Sequence, residues 1–179
     1  MITARVASSA ITTLQEATFY VTDKQERIVE ESAPEPFTTA TLLQDAITLF
    51  GWSASQVMHA AQWLFENGLI TYPRTDSISV ALEASDEARK ITVSLFGKEN
   101  LNSRRRWDQM ENHVDGAHEA IRPTSSARLP HQLPGEMGTD ERRLYSLIWK
   151  RFIASYMIPA KYRIITVDLE SDENPSQRT

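Results

Sequence analysis

The chain has 179 residues, 41% hydrophobic and 24% charged, which is enough apolar matter to core one globular domain, or one domain with a small appendage. The absence of cysteine excludes disulfides, thiolate-bound zinc and thiol catalysis within these residues. No apolar run is long enough to span a membrane, and the first residues lack the basic-then-apolar pattern of a secretion signal, so a cytoplasmic, non-membrane protein is expected.

In chain order, residues 1–29 read as short β structure. Ile2, Ala4 and Val6 alternate with Thr3, Arg5 and Ala7, and Phe19 and Val21 alternate with Thr18, Tyr20 and Thr22. Asp23-Lys24-Gln25 is expected to turn the chain before Arg27-Ile28-Val29. Residues 30–36 are acidic, carry two prolines and read as a linker. The period then becomes helical. Thr38 or Thr39 can cap a helix bearing Leu42, Leu43, Ala46, Leu49 and Phe50 and ending near Gly51. Ser53 and Gln56 form a capping-box pattern for the next helix, which carries Val57, Met58, Ala61, Leu64 and Phe65 and stops at Gly68. A further helix is expected from about Ser79 to Phe96, closed by Gly97. Residues 98–117 read as irregular, and 125–138 as a long loop. Thr139 is placed as the cap of the last helix, with Leu144, Leu147, Ile148 and Phe152 inward. From Tyr162 to Glu170 strict alternation returns, with Ile165, Val167 and Leu169 on one face and Ile164, Thr166 and Asp168 on the other. The order strands, helices, strand predicts an α+β fold, mostly α, in which a helical domain is inserted into a small antiparallel β piece formed by the two chain ends.

The formal net charge is −5, unlike many nucleic-acid binders. The acid gathers towards the ends, at Glu26, Glu30, Glu31 and Glu35 and at Asp168, Glu170, Asp172 and Glu173. The middle carries Arg74, Arg104, Arg105, Arg106, Arg122 and Arg128. A local cationic surface can hold phosphates while distant carboxylates set the total. On spacing alone, Arg104–Arg106 reads as a solvated loop.

Two stretches carry chemistry. Gly68-Leu69-Ile70-Thr71-Tyr72-Pro73-Arg74-Thr75-Asp76-Ser77 sets a phenol two residues from a guanidinium, just past a helix end. A free phenol titrates near pH ~10, so its phenolate is scarce at neutrality, and the phosphate it could attack repels it. A fixed cation eases both problems and can grip the phosphate bidentately. Pro73 biases Tyr72 away from helical angles. The second stretch is Gly116-Ala117-His118-Glu119-Ala120-Ile121-Arg122-Pro123-Thr124. Together the two stretches resemble the type IA DNA topoisomerases. Pro36-Phe37-Thr38-Thr39-Ala40-Thr41-Leu42-Leu43 resembles the start of that family's active-site domain. Residues 144–155, followed by Pro159-Ala160-Lys161-Tyr162, resemble its last helix. The resemblance runs from about Pro36 to about Leu169.

It implies that Tyr72 is the nucleophile of single-strand DNA cleavage, that Arg74 stabilises the phosphoryl transition state, and that His118 donates to phosphate or moves a proton. Glu119 and Arg122 then hold the motif by ion pairs, with Arg122 also a candidate DNA contact beside Arg104, Arg105 and Arg106. Thr71, Thr75, Asp76 and Ser77 shape the turn through side-chain-to-backbone bonds. The resemblance divides the chain into a β segment of the arch domain at 1–35, a helical tyrosine domain at 36–157, and a returning strand with a polar tail at 158–179. The metal of these enzymes, Mg(2+), is held by an acidic Toprim domain whose pattern is missing here, so no cofactor is expected in this chain and the fragment alone is expected to be inactive. DNA, preferably single-stranded, and the remaining domains of a parent polypeptide are the implied partners, for a monomer at the nucleoid. Pro73 is common in topoisomerase III-like members, whereas Arg105-Arg106-Trp107 ahead of Gly116-Ala117-His118 is closer to reverse gyrase.

The competing readings are a tyrosine packed at a domain edge, an Arg74–Asp76 surface pair, and structural histidines at His113 and His131. No role is given to His59. The rival function is a non-catalytic single-stranded DNA-binding module using phosphate contacts and stacked aromatics such as Trp107.

Overall fold

A computed structural model of the chain describes residues 4–104, 107–108, 119–135 and 137–171, leaving aside the side chains of Arg5, Val6, Ser9, Thr13 and Glu16. It is an α+β fold, as the order of elements predicts. The elements are α1 (Ala4–Glu16), β1 (Phe19–Glu31), α2 (Thr39–Phe50), α3 (Ala54–Glu66), α4 (Leu82–Phe96), α5 (Thr139–Ala154) and β2 (Ala160–Ser171). The chain divides into two compact units, one of residues 1–31 with 161–179 and one of residues 32–160.

In the first unit β1 and β2 pair as a two-stranded sheet. Thr22 Oγ1 donates to the Asp168 carbonyl at 3.3 Å, and Lys161–Glu30 and Arg163–Glu26 ion pairs span the strands at 2.9 and 3.5 Å. These pairs are exposed and contribute little energy. Two expectations fail here. Residues 4–16 form a helix, not a strand. The alternation that suggested a strand covers only six residues, while Ala4, Ala7, Ala10, Ile11 and Leu14 recur at helical spacing, and alanine is the best helix former. Nor does the chain turn at Asp23-Lys24-Gln25; β1 runs straight through. Asp23 uses its carboxylate locally, accepting from the Lys24 N–H and the Gln25 amide. No glycine or proline favours a turn there, and in a ribbon wet on both faces polar residues do not signal one. β2 alternates as expected, yet both of its faces are exposed: Ile165, Val167 and Leu169 are no more covered than their neighbours.

The second unit holds the core. Leu42 and Ala46 of α2, Val57, Ala60, Ala61 and Leu64 of α3, and Leu144, Tyr145, Ile148, Phe152 and Ile153 of α5 are buried together. Leu49 and Phe65, which share the apolar pattern of these helices, are 62% and 37% exposed. The caps are those the sequence announces. At the start of α2 the Thr38 and Thr41 N–H groups each donate to the other's hydroxyl, and at α3 the Gln56 N–H donates to Ser53 Oγ while the Ser53 N–H donates to Gln56 Oε1. Gly68 follows α3 at φ 65° with nothing within 4 Å of where a Cβ would stand. Gly68→Ala should therefore cost only the left-handed backbone penalty, about 1–2 kcal/mol, read as a drop in the chemical-denaturation midpoint.

Two helix starts differ from expectation. α4 begins at Leu82 because Ser79 is engaged in pairing: its carbonyl accepts the Ala120 N–H at 2.9 Å and its own N–H goes to Ser77 Oγ. α5 is capped by Gly138, with Thr139 as its first residue; Asp140 and Glu141 complement the helix dipole in place of a side-chain cap. The 125–138 loop is tied down from α5, where Tyr145 Oη donates to the Arg128 carbonyl at 2.8 Å and the Trp149 indole to the Ser126 carbonyl at 2.9 Å.

Burial pushes the phenols of Tyr145 and Tyr156 from 10 up to about 12. Both are raised, so their stabilisation is whole below the unfolded value. As pH rises from 10 towards 12 the unfolded chain ionises first and stability falls. A loss on the order of 2 kcal/mol per tyrosine is expected across that window, and Tyr145→Phe should remove its share of the pH dependence in denaturant titrations.

Candidate active site

The segment after α3 is extended and stitched to the second motif. Ile70 bridges Pro123 antiparallel, and Phe37 bridges Ile121. The Thr71 N–H donates to the Arg122 carbonyl at 2.9 Å, and the Thr124 N–H to the Leu69 carbonyl at 3.0 Å. Thr71 Oγ1 donates to the Ala120 carbonyl at 2.7 Å and accepts the Arg122 N–H at 3.0 Å, while Thr124 Oγ1 donates to the Gly68 carbonyl at 2.7 Å. Three stretches far apart in sequence thus lie side by side, on a floor of buried Phe37, Ile70 and Ile121.

From this floor Tyr72 emerges 40% exposed. Its ring meets Phe65 edge to face, centroids 5.3 Å apart. It is not locked in the interior, where a packing tyrosine such as Tyr145 sits. Pro73 is buried, and Arg74 is exposed on the next residue. Arg74 Nη1 donates to Gln62 Oε1 at 3.2 Å, and Gln62 Nε2 donates to Glu66 Oε1 at 2.8 Å. Among the described residues no ion pair joins Arg74 to Asp76, so the surface-pair reading is not realised. The last turn of α3, through Gln62, Phe65 and Glu66 at helical spacing, therefore touches both Tyr72 and Arg74. These three are absent from the sequence-based candidates, although their positions directly upstream of the motif on one helix face were a usable signal. Thr75 is buried and its Oγ1 accepts the Ser77 N–H at 3.0 Å. Asp76 is exposed. An open cleft of about 480 Å³ is lined by Thr38, Thr39 and Ala40 at the start of α2 and by Arg74, Thr75 and Asp76.

Glu119 ties the second motif to the segment just before α4. One carboxylate oxygen accepts the Ala81 N–H at 2.8 Å, and the other takes Arg122 Nη2 at 2.7 Å. Arg122 Nη1 donates to the Pro123 carbonyl at 3.0 Å, and the residue is 9% exposed. The expectation that Arg122 also reaches DNA meets a mostly buried guanidinium whose charge is matched by Glu119, with Nη1 and Nη2 bonded inside the fold and Nε buried without a partner. Arg104 is exposed, with its N–H bonded to Asn102 Oδ1 at 3.0 Å. Trp107 is 6% exposed and donates its indole N–H to the Ser155 carbonyl at 3.0 Å. It is an anchor of the loop, not a stacking platform, which corrects the aromatic part of the DNA-binding-module reading. His118, His113, Arg105 and Arg106 lie outside the described residues. Among the described residues no three His, Cys, Asp or Glu side chains gather in a way that could hold a metal ion, and no helix is long and apolar enough to cross a membrane.

What the fold and site define is an α+β domain whose helical unit presents a half-exposed tyrosine and an arginine two residues on, on a turn sewn to a Glu-Ala-Ile-Arg-Pro-Thr segment. The DNA topoisomerase family matches over residues 1–178, and the chain belongs to the type IA DNA topoisomerase family. DNA topoisomerase 1 of Thermotoga maritima is 39% identical over 150 residues, covering 79% of this chain and 24% of that protein. DNA topoisomerase 1 of Xylella fastidiosa is 36% identical over 177 residues, covering 93% and 22%. The solved full-length topoisomerase I of Thermotoga maritima superposes with a TM-score of 0.67 at 35% identity, over 92% of this chain and 28% of that one. The chain spans about a quarter of the length of the curated relatives it matches.

Proposed function

We propose that this chain carries the nucleophile of a reaction that cleaves and rejoins one DNA strand and so changes DNA topology. Tyr72 Oη attacks a backbone phosphorus, forming a 5′-phosphotyrosyl bond and releasing a 3′-hydroxyl. Attack by that hydroxyl reverses the step, so the bond energy is kept and no nucleotide is consumed. Arg74 stands two residues away, exposed and part of the lining of the open cleft, so its guanidinium can meet the charge that builds on the phosphate in the transition state. His118 is the proposed donor to phosphate. Glu119 and Arg122 hold the second motif in place through their ion pair, and Arg104, Arg105 and Arg106 are the proposed contacts to the DNA backbone.

The single observation that carries this reading is Tyr72 itself: exposed, set at the edge of a paired and buried floor, with Arg74 on the same turn. The relatives' name supports DNA as the substrate. Residues 1–35 and 158–179 are assigned to the arch, and 36–157 to the tyrosine domain. The described residues do not fit the family's Mg(2+), which is assigned to a Toprim domain outside this chain, and no step is routed through it. On this reading the chain by itself does not relax supercoils. The working protein is a monomer acting on single-stranded regions at the nucleoid. Tyr72→Phe in the complete polypeptide tests the reading; covalent DNA adducts that survived the change would sink it.

A further inference from the structure

The backbone that presents Arg74 is held by one residue, Thr39, through its hydroxyl and its N–H. Thr39, the first residue of α2, places Oγ1 2.7 Å from the Pro73 carbonyl and 3.0 Å from the Thr75 carbonyl, and the same oxygen accepts the Thr75 N–H at 2.8 Å. The Thr39 N–H, which has no partner of its own inside the helix, donates to the Thr75 carbonyl at 2.9 Å. A hydroxyl has one proton and two lone pairs, so Thr39 can give to the nearer carbonyl and take from Thr75 at once. The peptide groups on both sides of Arg74 are thereby pinned to a helix end. That end is itself rigid: the Thr38–Thr41 capping box closes it, and Leu42 is fully buried one turn on. Thr39 and Arg74 line the same cleft. The Arg74 side chain is long and exposed, with one bond to Gln62, so where its guanidinium lies depends on where residues 73–75 are held.

We propose that Thr39 is a positioning residue for phosphoryl transfer, acting through Arg74. This rests on the role given to Arg74 above. Thr39 touches no reacting atom; its hydroxyl fixes the turn from which the cation reaches the phosphate.

The test uses the complete polypeptide that contains this chain and a single-stranded oligonucleotide. Thr39→Val keeps the shape and removes the hydroxyl. It should slow formation of the tyrosyl–DNA adduct by about tenfold to a hundredfold, the scale of an ångström-level misplacement, while oligonucleotide affinity stays near wild type and the thermal unfolding midpoint falls only modestly, through the lost partner of the Thr75 N–H. Thr39→Ser should restore the rate. In an Arg74→Ala background Thr39→Val should add no further loss, because the residue it acts through is gone. A full additional loss there overturns the proposal, as does wild-type adduct formation by Thr39→Val, or a Thr39→Ser variant as slow as the valine one. If the valine variant does not fold, Thr39→Ser against Thr39→Cys makes the same comparison, and equal wild-type rates in both overturn the proposal. Tyr72→Phe run alongside separates the two claims: adducts persisting in that variant defeat the proposed function, whereas adducts lost there but undiminished by Thr39→Val defeat the clamp alone.

Discussion

Replacing Tyr72 by phenylalanine should abolish covalent trapping of DNA and leave single-stranded DNA binding within about twofold of wild type. The substitution removes one oxygen. The ring keeps its edge-to-face contact with Phe65, and the ring contact is worth about 0.5–1.5 kcal/mol, too little to decide folding either way. Tyr72 is 40% exposed, so the core loses nothing. A covalent intermediate, by contrast, cannot form without its nucleophile, and water attack in its place would release the strand rather than hold it. The two readouts, an adduct that survives denaturant and a binding isotherm, are therefore expected to separate completely. Parallel loss of both would mean that Tyr72 serves binding.

Arg74→Ala should lower the rate of adduct formation by about a hundredfold to a thousandfold, the usual cost of removing one preorganised donor to a developing anion. Arg74→Lys should recover only part of it. A lysine supplies the charge but not the planar fork that matches two phosphate oxygens. Its ammonium would also lose the geometry by which Gln62, oriented by Glu66, receives the guanidinium. Stability should hardly move, since Arg74 is exposed and its bond to the uncharged Gln62 amide is a surface contact. Single-turnover cleavage of a labelled oligonucleotide gives the rate; a lysine variant at full speed would show that charge alone suffices.

The helical unit was legible because local signals agree with one another there. Thr38, Ser53, Gly51 and Gly68 mark helix ends, and the apolar residues between them repeat at the helical period over a face that is in fact buried. The terminal unit was not, because exposure on both sides removes the contrast on which periodicity depends. Residues 4–7 alternate by accident, and Asp23-Lys24-Gln25 looks like a turn only if polar means loop. The same division holds in the site. Tyr72, Arg74 and Glu119 can be picked out along the chain, since each sits in a stretch whose residue order is itself informative. How they are brought together cannot. Thr71 reaches Ala120 across 49 positions, and Thr39 reaches Thr75 across 36. Such a contact leaves no trace in the spacing of either segment. Trp107 shows the converse error: an aromatic beside cations suggests nucleic acid, yet burial gives it to the fold.

The ribbon of β1 and β2 has a bearing on how the chain assembles. Thr22 and Asp168 meet although 146 positions separate them. Closing so large a ring from a fluctuating coil sacrifices much chain freedom before any pairing rewards it, and an isolated two-stranded ribbon returns little. Once residues 32–160 have condensed, their two ends are brought near each other and the ring is in effect already closed. Strand pairing should therefore be a late event, with the helical interior gaining amide protection before Phe19–Glu31 and Ala160–Ser171 do in pulse-labelled refolding.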